Sequence, residues 1–152
     1  MNTNCQICTF SVDGNLFGVD VNDVQEVLRY QELTKVPLAP AVVSGLINLR
    51  GEIVTALDMR RRLRLPVRPN GSLPMNVVVQ TKDGPMSLLV DEIGDVLEVD
   101  EQMFESAPPT LAATVRELIT GVYKLEDQLL LVINTERATD LAPIESELEA
   151  IR

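Results

Sequence analysis

Residues 45–58, GLINLRGEIVTALD, and residues 121–134, GVYKLEDQLLLVIN, carry one pattern twice at an offset of 76. Each opens on glycine and runs through an aliphatic stretch into a polar pair, Arg50-Gly51 or Glu126-Asp127. A second aliphatic stretch follows and ends at Asp58 or Asn134. Aliphatic and β-branched runs parted by a short polar turn read as a β-hairpin. Working outward, residues 5–12 and 16–21 flank Asp13-Gly14, and residues 75–81 and 86–91 flank Asp83-Gly84, 70 residues on. Between the hairpins, Val24-Gln25-Glu26-Val27-Leu28 is echoed by Ile93-Gly94-Asp95-Val96-Leu97 at an offset of 69. Each half therefore reads hairpin, short helical segment, loop, second hairpin. The repeat predicts two similar half-domains of four or five strands each. Sheets this small remove their exposed edges most simply by closing into barrels.

Helical signal is limited to three short segments. Residues 23–30 place Val24, Val27 and Leu28 on one helical face, and residues 59–64 follow Asp58, a good N-cap. At the end, Leu141, Ile144, Leu148 and Ile151 recur at 3-4-3 spacing, which predicts a C-terminal helix over about 141–151. Pro143 suits its first turn, and Glu145, Glu147 and Glu149 lie off the stripe.

The 152 residues suit one domain, large enough to need neither disulfide nor metal. With three Phe, two Tyr and no Trp, the core falls to Val, Leu and Ile. Net charge is −10, from 23 acidic and 13 basic residues, which argues against nucleic acid or anionic membrane as partner. The local exception, Arg60, Arg61, Arg62 and Arg64, is expected to be the solvated face of a short helix, with an acidic protein partner as its functional alternative. No basic stretch followed by an apolar run opens the chain. The longest wholly aliphatic run, 129–133, falls far short of the roughly 20 residues that span a bilayer. A soluble, cytoplasmic protein is expected. Cys5 and Cys8 form a C-x-x-C at a strand, read as a packed or idle thiol pair.

Chemistry is conspicuously missing. There is no histidine, hence no commonest general base or transition-metal ligand. No G-x-S-x-G, P-loop or G-x-G-x-x-G occurs. The adjacent carboxylates Asp91-Glu92 and Asp100-Glu101 are read as solvated charge, since neighbours on a strand point to opposite faces. Asp20, Asn22 and Asp23 begin like a calcium loop, without the glycine and closing glutamate it requires. These readings leave no catalytic residue, metal or cofactor, and point to a module that recognises another protein.

The segment 42–65, VVSGLINLRGEIVTALDMRRRLRL, resembles the central signature of the CheW family of coupling proteins, where a Gly-x-x-Asn-Leu-Arg-Gly hairpin precedes a strand ending in Asp-Leu-Arg. Residues 18–30 (GVDVNDVQEVLRY), 89–97 (LVDEIGDVL) and 119–134 (ITGVYKLEDQLLLVIN) are similar to further blocks in family order. Thr55 stands where many relatives have proline, and Met59 replaces the leucine. The resemblance implies a mainly β fold of two intertwined five-stranded SH3-like barrels with short helices. It places lobe 1 at about 14–83 and lobe 2 at about 5–12 plus 84–134.

It also implies a non-enzymatic scaffold. One partner is the regulatory domain of a CheA-type histidine kinase, which has the same fold and pairs through its barrels. The other is the cytoplasmic tip of chemoreceptors, docked in an apolar groove between the lobes. Alternatives are an adaptor of a twitching or developmental chemosensory pathway, or the isolated regulatory domain of a kinase. The expected kinase side is Arg50, Gly51, Asp58 and Arg60. The expected receptor side is Val24, Glu26, Val27, Leu28, Val96 and Leu97, with Glu26 and Arg50 pairing to shape it. The chain is expected to be monomeric when free, and recruited to membrane-bound receptor arrays without inserting in the bilayer.

Overall fold

A computed structural model describes residues 4–142. Eleven strands and three short helices follow one another as β1 (Asn4–Val12), β2 (Asn15–Asp20), β3 (Val24–Leu28), β4 (Val43–Leu49), β5 (Glu52–Asp58), α1 (Met59–Arg62), β6 (Met75–Thr81), β7 (Gly84–Val90), β8 (Glu92–Asp100), β9 (Phe104–Glu105), α2 (Ala113–Arg116), β10 (Ile119–Lys124), β11 (Leu129–Ile133) and α3 (Thr135–Thr139). The expected hairpins form, and their turns show why. Asp13 and Gly14 have φ of 51° and 77°, and Arg50 and Gly51 have 52° and 87°. Two successive left-handed residues match the twist of a two-residue hairpin, and glycine takes the second place without steric cost. The β6–β7 hairpin differs from expectation. Thr81 pairs with Gly84, so Lys82-Asp83 is the turn and Gly84 opens β7.

The strands form two sheets, β8-β1-β2-β11-β10-β9 and β3-β6-β7-β5-β4. The internal repeat carries β6, β7, β3, β5 and β4 onto β1, β2, β8, β11 and β10. Under that exchange the five-stranded order becomes the order of the first five strands of the other sheet. Each sheet thus takes one hairpin from its own half and lends one to the other, and the lobes are intertwined. The boundaries differ from lobes of 14–83 and 5–12 plus 84–134: β2 stays in the six-stranded sheet and β7 in the five-stranded one. A two-residue turn cannot separate its strands, so each hairpin moves between sheets as a unit.

Each sheet bends back on itself. Thr34, six residues beyond the edge strand β3, exchanges backbone hydrogen bonds with Leu46 of the opposite edge strand β4, at 2.9 and 2.8 Å. In the other sheet the edge strand β8 leads through one 3₁₀ turn into β9, which pairs with β10. The repeated glycines make both closures possible. A Cβ on Gly45 would sit 2.6 Å from the Thr34 carbonyl oxygen, and one on Gly121 would sit 2.5 Å from that of Glu105. Gly121→Ala is expected to destabilise the fold by about 1–3 kcal/mol through this overlap, read as a lower urea midpoint at unchanged slope.

Burial follows from the double layer. On β6, Val77 and Val79 enter a core shared by both sheets, with Phe10, Phe17, Leu57, Leu88 and Ile133, while Val78 faces the other way into a core private to its own sheet with Ile47, Val54 and Leu89. Ile7, Leu130, Val132, Val99 and Tyr123 form the private core of the second sheet. Central strands buried on both faces carry uninterrupted aliphatic runs, and these are the runs on which the hairpin reading rests.

Residues 24–28 are not the expected helix but the edge strand β3, paired with β6 from Val24↔Val79 to Leu28↔Asn76. A tertiary partner for the exposed edge of β6 overrides the weak helical spacing, and β-branched Val24 and Val27 suit a strand. Residues 93–97 likewise lie within β8. The expected helix after Asp58 is present as α1, whose Arg60 N–H donates to Asp58 at 3.0 Å. The expected C-terminal helix over 141–151 lies outside the described residues except for Leu141 and Ala142.

Candidate interaction surface

The β4–β5 turn and the strand β3 lie at opposite edges of the five-stranded sheet, and its curl brings them together. Arg50 reaches from the turn to Glu26 on β3 with two hydrogen bonds, Nη1 to Oε2 at 2.6 Å and Nη2 to Oε1 at 3.0 Å. Such a bidentate fork fixes orientation as well as distance. The Arg50 side chain is 75% exposed and that of Glu26 only 17%, so the carboxylate anchors the guanidinium at the surface. Asn48 Oδ1 accepts from the Gly51 N–H at 2.9 Å and braces the same turn. The expected Glu26–Arg50 pair therefore forms, although Glu26 sits on a strand.

The expected apolar stripe is divided by the strand period of two. Val24 packs against the shared core, Leu28 against the private core of its sheet, and Leu97 against the private core of the other. Val27 and Val96 point outward, 38% and 55% exposed. Two of the five apolar candidates thus present surface, and three are anchors beneath it.

Asp58 and Arg60 hold the fold. Arg60 is buried rather than solvated as expected. It donates to Asp91 from Nε at 3.0 Å and from Nη2 at 2.7 Å, and from Nη1 to the Pro66 carbonyl at 3.0 Å. Its Nη1 also lies 3.5 Å from Asp13 Oδ1. Asp91 is the hub. It further accepts from Arg68 Nη2 at 3.1 Å and from the Asp13 N–H at 2.7 Å. Burial pushes the Asp91 carboxyl up, but the hydrogen bonds from Arg60, Asp13 and Arg68 outweigh it and hold its pKa below the ordinary carboxylate value. The same bond, against the opposing effect of burial, raises that of Arg60. Asp91 is therefore not the solvated charge that its Asp-Glu neighbourhood suggested. No spacing signals this hub, because its partners lie 31, 23 and 78 residues away.

Cys5 and Cys8 are free thiols on opposite faces of β1, in the private and shared cores respectively. Burial raises the Cys8 pKa, so little reactive thiolate forms. Half-buried Cys5 touches the Tyr123 hydroxyl at 3.7 Å. A maleimide reagent on the native protein is expected to label Cys5 far faster than Cys8, with both labelled equally in urea. Among the described residues no helix is long and apolar enough to cross a membrane.

Comparison with known proteins gives the chain a family. Residues 6–142 match the CheW-like domain. The chain belongs to the CheW-like family. It is 30% identical to the chemotaxis protein CheW of Bacillus subtilis over 138 residues, covering 91% of this chain and 88% of that protein. It is 28% identical to the chemotaxis protein CheW of Treponema pallidum over 136 residues, covering 87% and 80% of the two. In three dimensions it resembles the crystal structure of the scaffolding protein TtCheW from Thermoanaerobacter tengcongensis, with a TM-score of 0.81, 28% identity, and coverage of 91% and 94%. The intertwined, mainly β architecture is that of this CheW-like family.

Proposed function

We propose that this CheW-like chain is a non-enzymatic scaffold of chemotaxis signalling that couples the cytoplasmic tip of chemoreceptors to the regulatory domain of a CheA-type histidine kinase. The observation that carries the reading is its likeness, over nearly its whole length, to a scaffolding protein of the same fold. Such a protein acts by holding two partners at once, converting their encounter into an intramolecular event at high effective concentration. The exposed Val27 and Val96 present apolar surface to the receptor, supported from beneath by Val24, Leu28 and Leu97. Glu26 belongs to the receptor side, which its pairing with Arg50 shapes, while Arg50 with Gly51 offers a charged tip to the kinase. Asp58 and Arg60 serve that side indirectly, through the helix cap and the Asp91 network. The free protein is a cytoplasmic monomer, recruited to membrane-bound arrays by its partners.

A pull-down from the source cell tests this, with wild type and Arg50→Ala both confirmed folded by circular dichroism. Wild type is expected to recover a histidine kinase and a chemoreceptor, and the variant to recover less kinase. Recovery of neither by wild type would overturn the coupling role.

A further inference from the structure

Although only 13 of the residues are basic, Arg61, Arg62 and Arg64 border one concavity of about 380 Å³ that Ala41, Val42, Leu65 and Val67 also line, and among the described residues no carboxylate lines it. Arg62 is engaged by the fold, donating to the Ala138 carbonyl at 3.0 Å and the Arg137 carbonyl at 2.9 Å. Arg61 and Arg64 are exposed, and among the described residues neither side chain has a hydrogen bond or ion pair.

The backbone at Arg64 adds an independent observation. The Leu65 N–H donates to the Arg60 carbonyl at 2.7 Å and the Arg64 N–H to that of Arg61 at 3.1 Å. This is a Schellman closure of α1, and it puts Arg64 at the position after the cap with φ of 57°. Glycine fits there without strain, whereas a Cβ crowds the neighbouring carbonyl. The chain therefore holds an arginine where the backbone favours glycine, and nothing within the described fold uses its charge. Residues held in sparsely populated backbone conformations cluster at functional sites, and here the arginine combines that conformation with a charge the described fold does not pair.

We propose that this concavity is a docking site for an acidic segment of a partner protein, with carboxylates meeting Arg61 and Arg64 and an apolar side chain lying on Val42 and Leu65. Charge complementarity selects this occupant: two arginines without carboxylate partners among the described residues, beside apolar side chains, suit a segment that carries acidic and apolar residues together. The site is separate from Arg50 and Glu26 and stands whether or not the receptor and kinase assignments do.

The test is a titration of the isotopically labelled full chain with a capped Glu-Asp-Leu-Glu-Glu-Leu peptide, followed by amide shifts in NMR. Saturable shifts are expected at Val42, Arg61, Arg64 and Leu65, weakening with added salt. The Gln-Asn-Leu-Gln-Gln-Leu counterpart is expected to give none. Arg64→Gly is expected to raise the melting temperature and weaken peptide binding together. Combining it with Arg61→Gln weakens binding on the order of tenfold. Absence of saturable shifts, or equal binding of the neutral peptide, would overturn the proposal. Equal binding of short-chain polyphosphate would show a sink for any anion and also overturn it. A fall in melting temperature for Arg64→Gly would make Arg64 a structural residue and remove its second support.

Discussion

Asp91→Ala is expected to cost about 3–5 kcal/mol of folding stability, more than any exposed charge in the molecule, because it strands two arginines out of water. Arg60 and Arg68 side chains are each only 11% exposed, and among the described residues Asp91 is the only carboxylate within 3.2 Å of either. The loss would also free the β1–β2 turn, whose Asp13 N–H donates to the same carboxylate. Urea denaturation at pH 7 measures the effect. Replacing the group together, as Asp91→Leu, Arg60→Met and Arg68→Met, is expected to recover most of it, since a well-packed apolar substitute avoids the desolvation penalty.

The same carboxylate fixes a pH dependence. Its folded pKa lies below its ordinary value of 3.8, so the unfolded state takes up the proton first as pH falls. The stabilisation is complete above that ordinary value and disappears as pH drops through the lower, folded one. In Asp91→Asn this acid-side decline should flatten. An unchanged decline would assign acid sensitivity to other carboxylates.

Arg50→Ala is expected to act in the opposite way, leaving the fold and removing the function. An exposed ion pair contributes about 0–1 kcal/mol to stability, and the Arg50 side chain is 75% exposed. A rigid, orientated arginine at an interface, by contrast, is commonly worth about 2 kcal/mol or more of binding, roughly thirtyfold in affinity. The variant should therefore melt within a few degrees of wild type while binding kinase roughly thirtyfold more weakly in calorimetry. Glu26→Ala should show a smaller binding loss, because it releases the guanidinium without deleting it. The swap Glu26→Arg with Arg50→Glu restores a fork of reversed orientation and is expected not to restore binding. If Glu26→Ala instead lowered stability as much as a core deletion, the pair would be structural and its place in recognition would fail.

The legible parts of this protein are those written in local pattern. Asp13-Gly14 and Arg50-Gly51 announce hairpins because only certain residues tolerate two successive left-handed conformations, and the structure has both. Gly45 and Gly121 mark the repeat because both closures need a backbone without Cβ. Even the Glu26–Arg50 pair is legible through the family resemblance of the blocks that hold the two residues. What local pattern could not supply is the partner of each element. Val24-Gln25-Glu26-Val27-Leu28 has helical spacing, yet the open edge of β6, some 50 residues away, makes it a strand. Whether Val27 or Val24 faces outward then follows from strand pairing, not from spacing. The lobe boundaries shifted for a related reason: turns keep hairpins whole, and the exchange between sheets occurs in the longer connections. Asp91 was illegible because adjacent carboxylates look alike until three distant donors converge on one of them.

Coupling itself is measured most directly by kinase autophosphorylation in vesicles that carry a chemoreceptor. Kinase, receptor vesicles and this chain are combined, and each is left out in turn. If the chain is a scaffold, phosphorylation rises well above the level of any pair only when all three are present, and Arg50→Ala, folded and at equal concentration, fails to give that rise. Equal phosphorylation with and without the chain, for partners shown to be active, would contradict the coupling role.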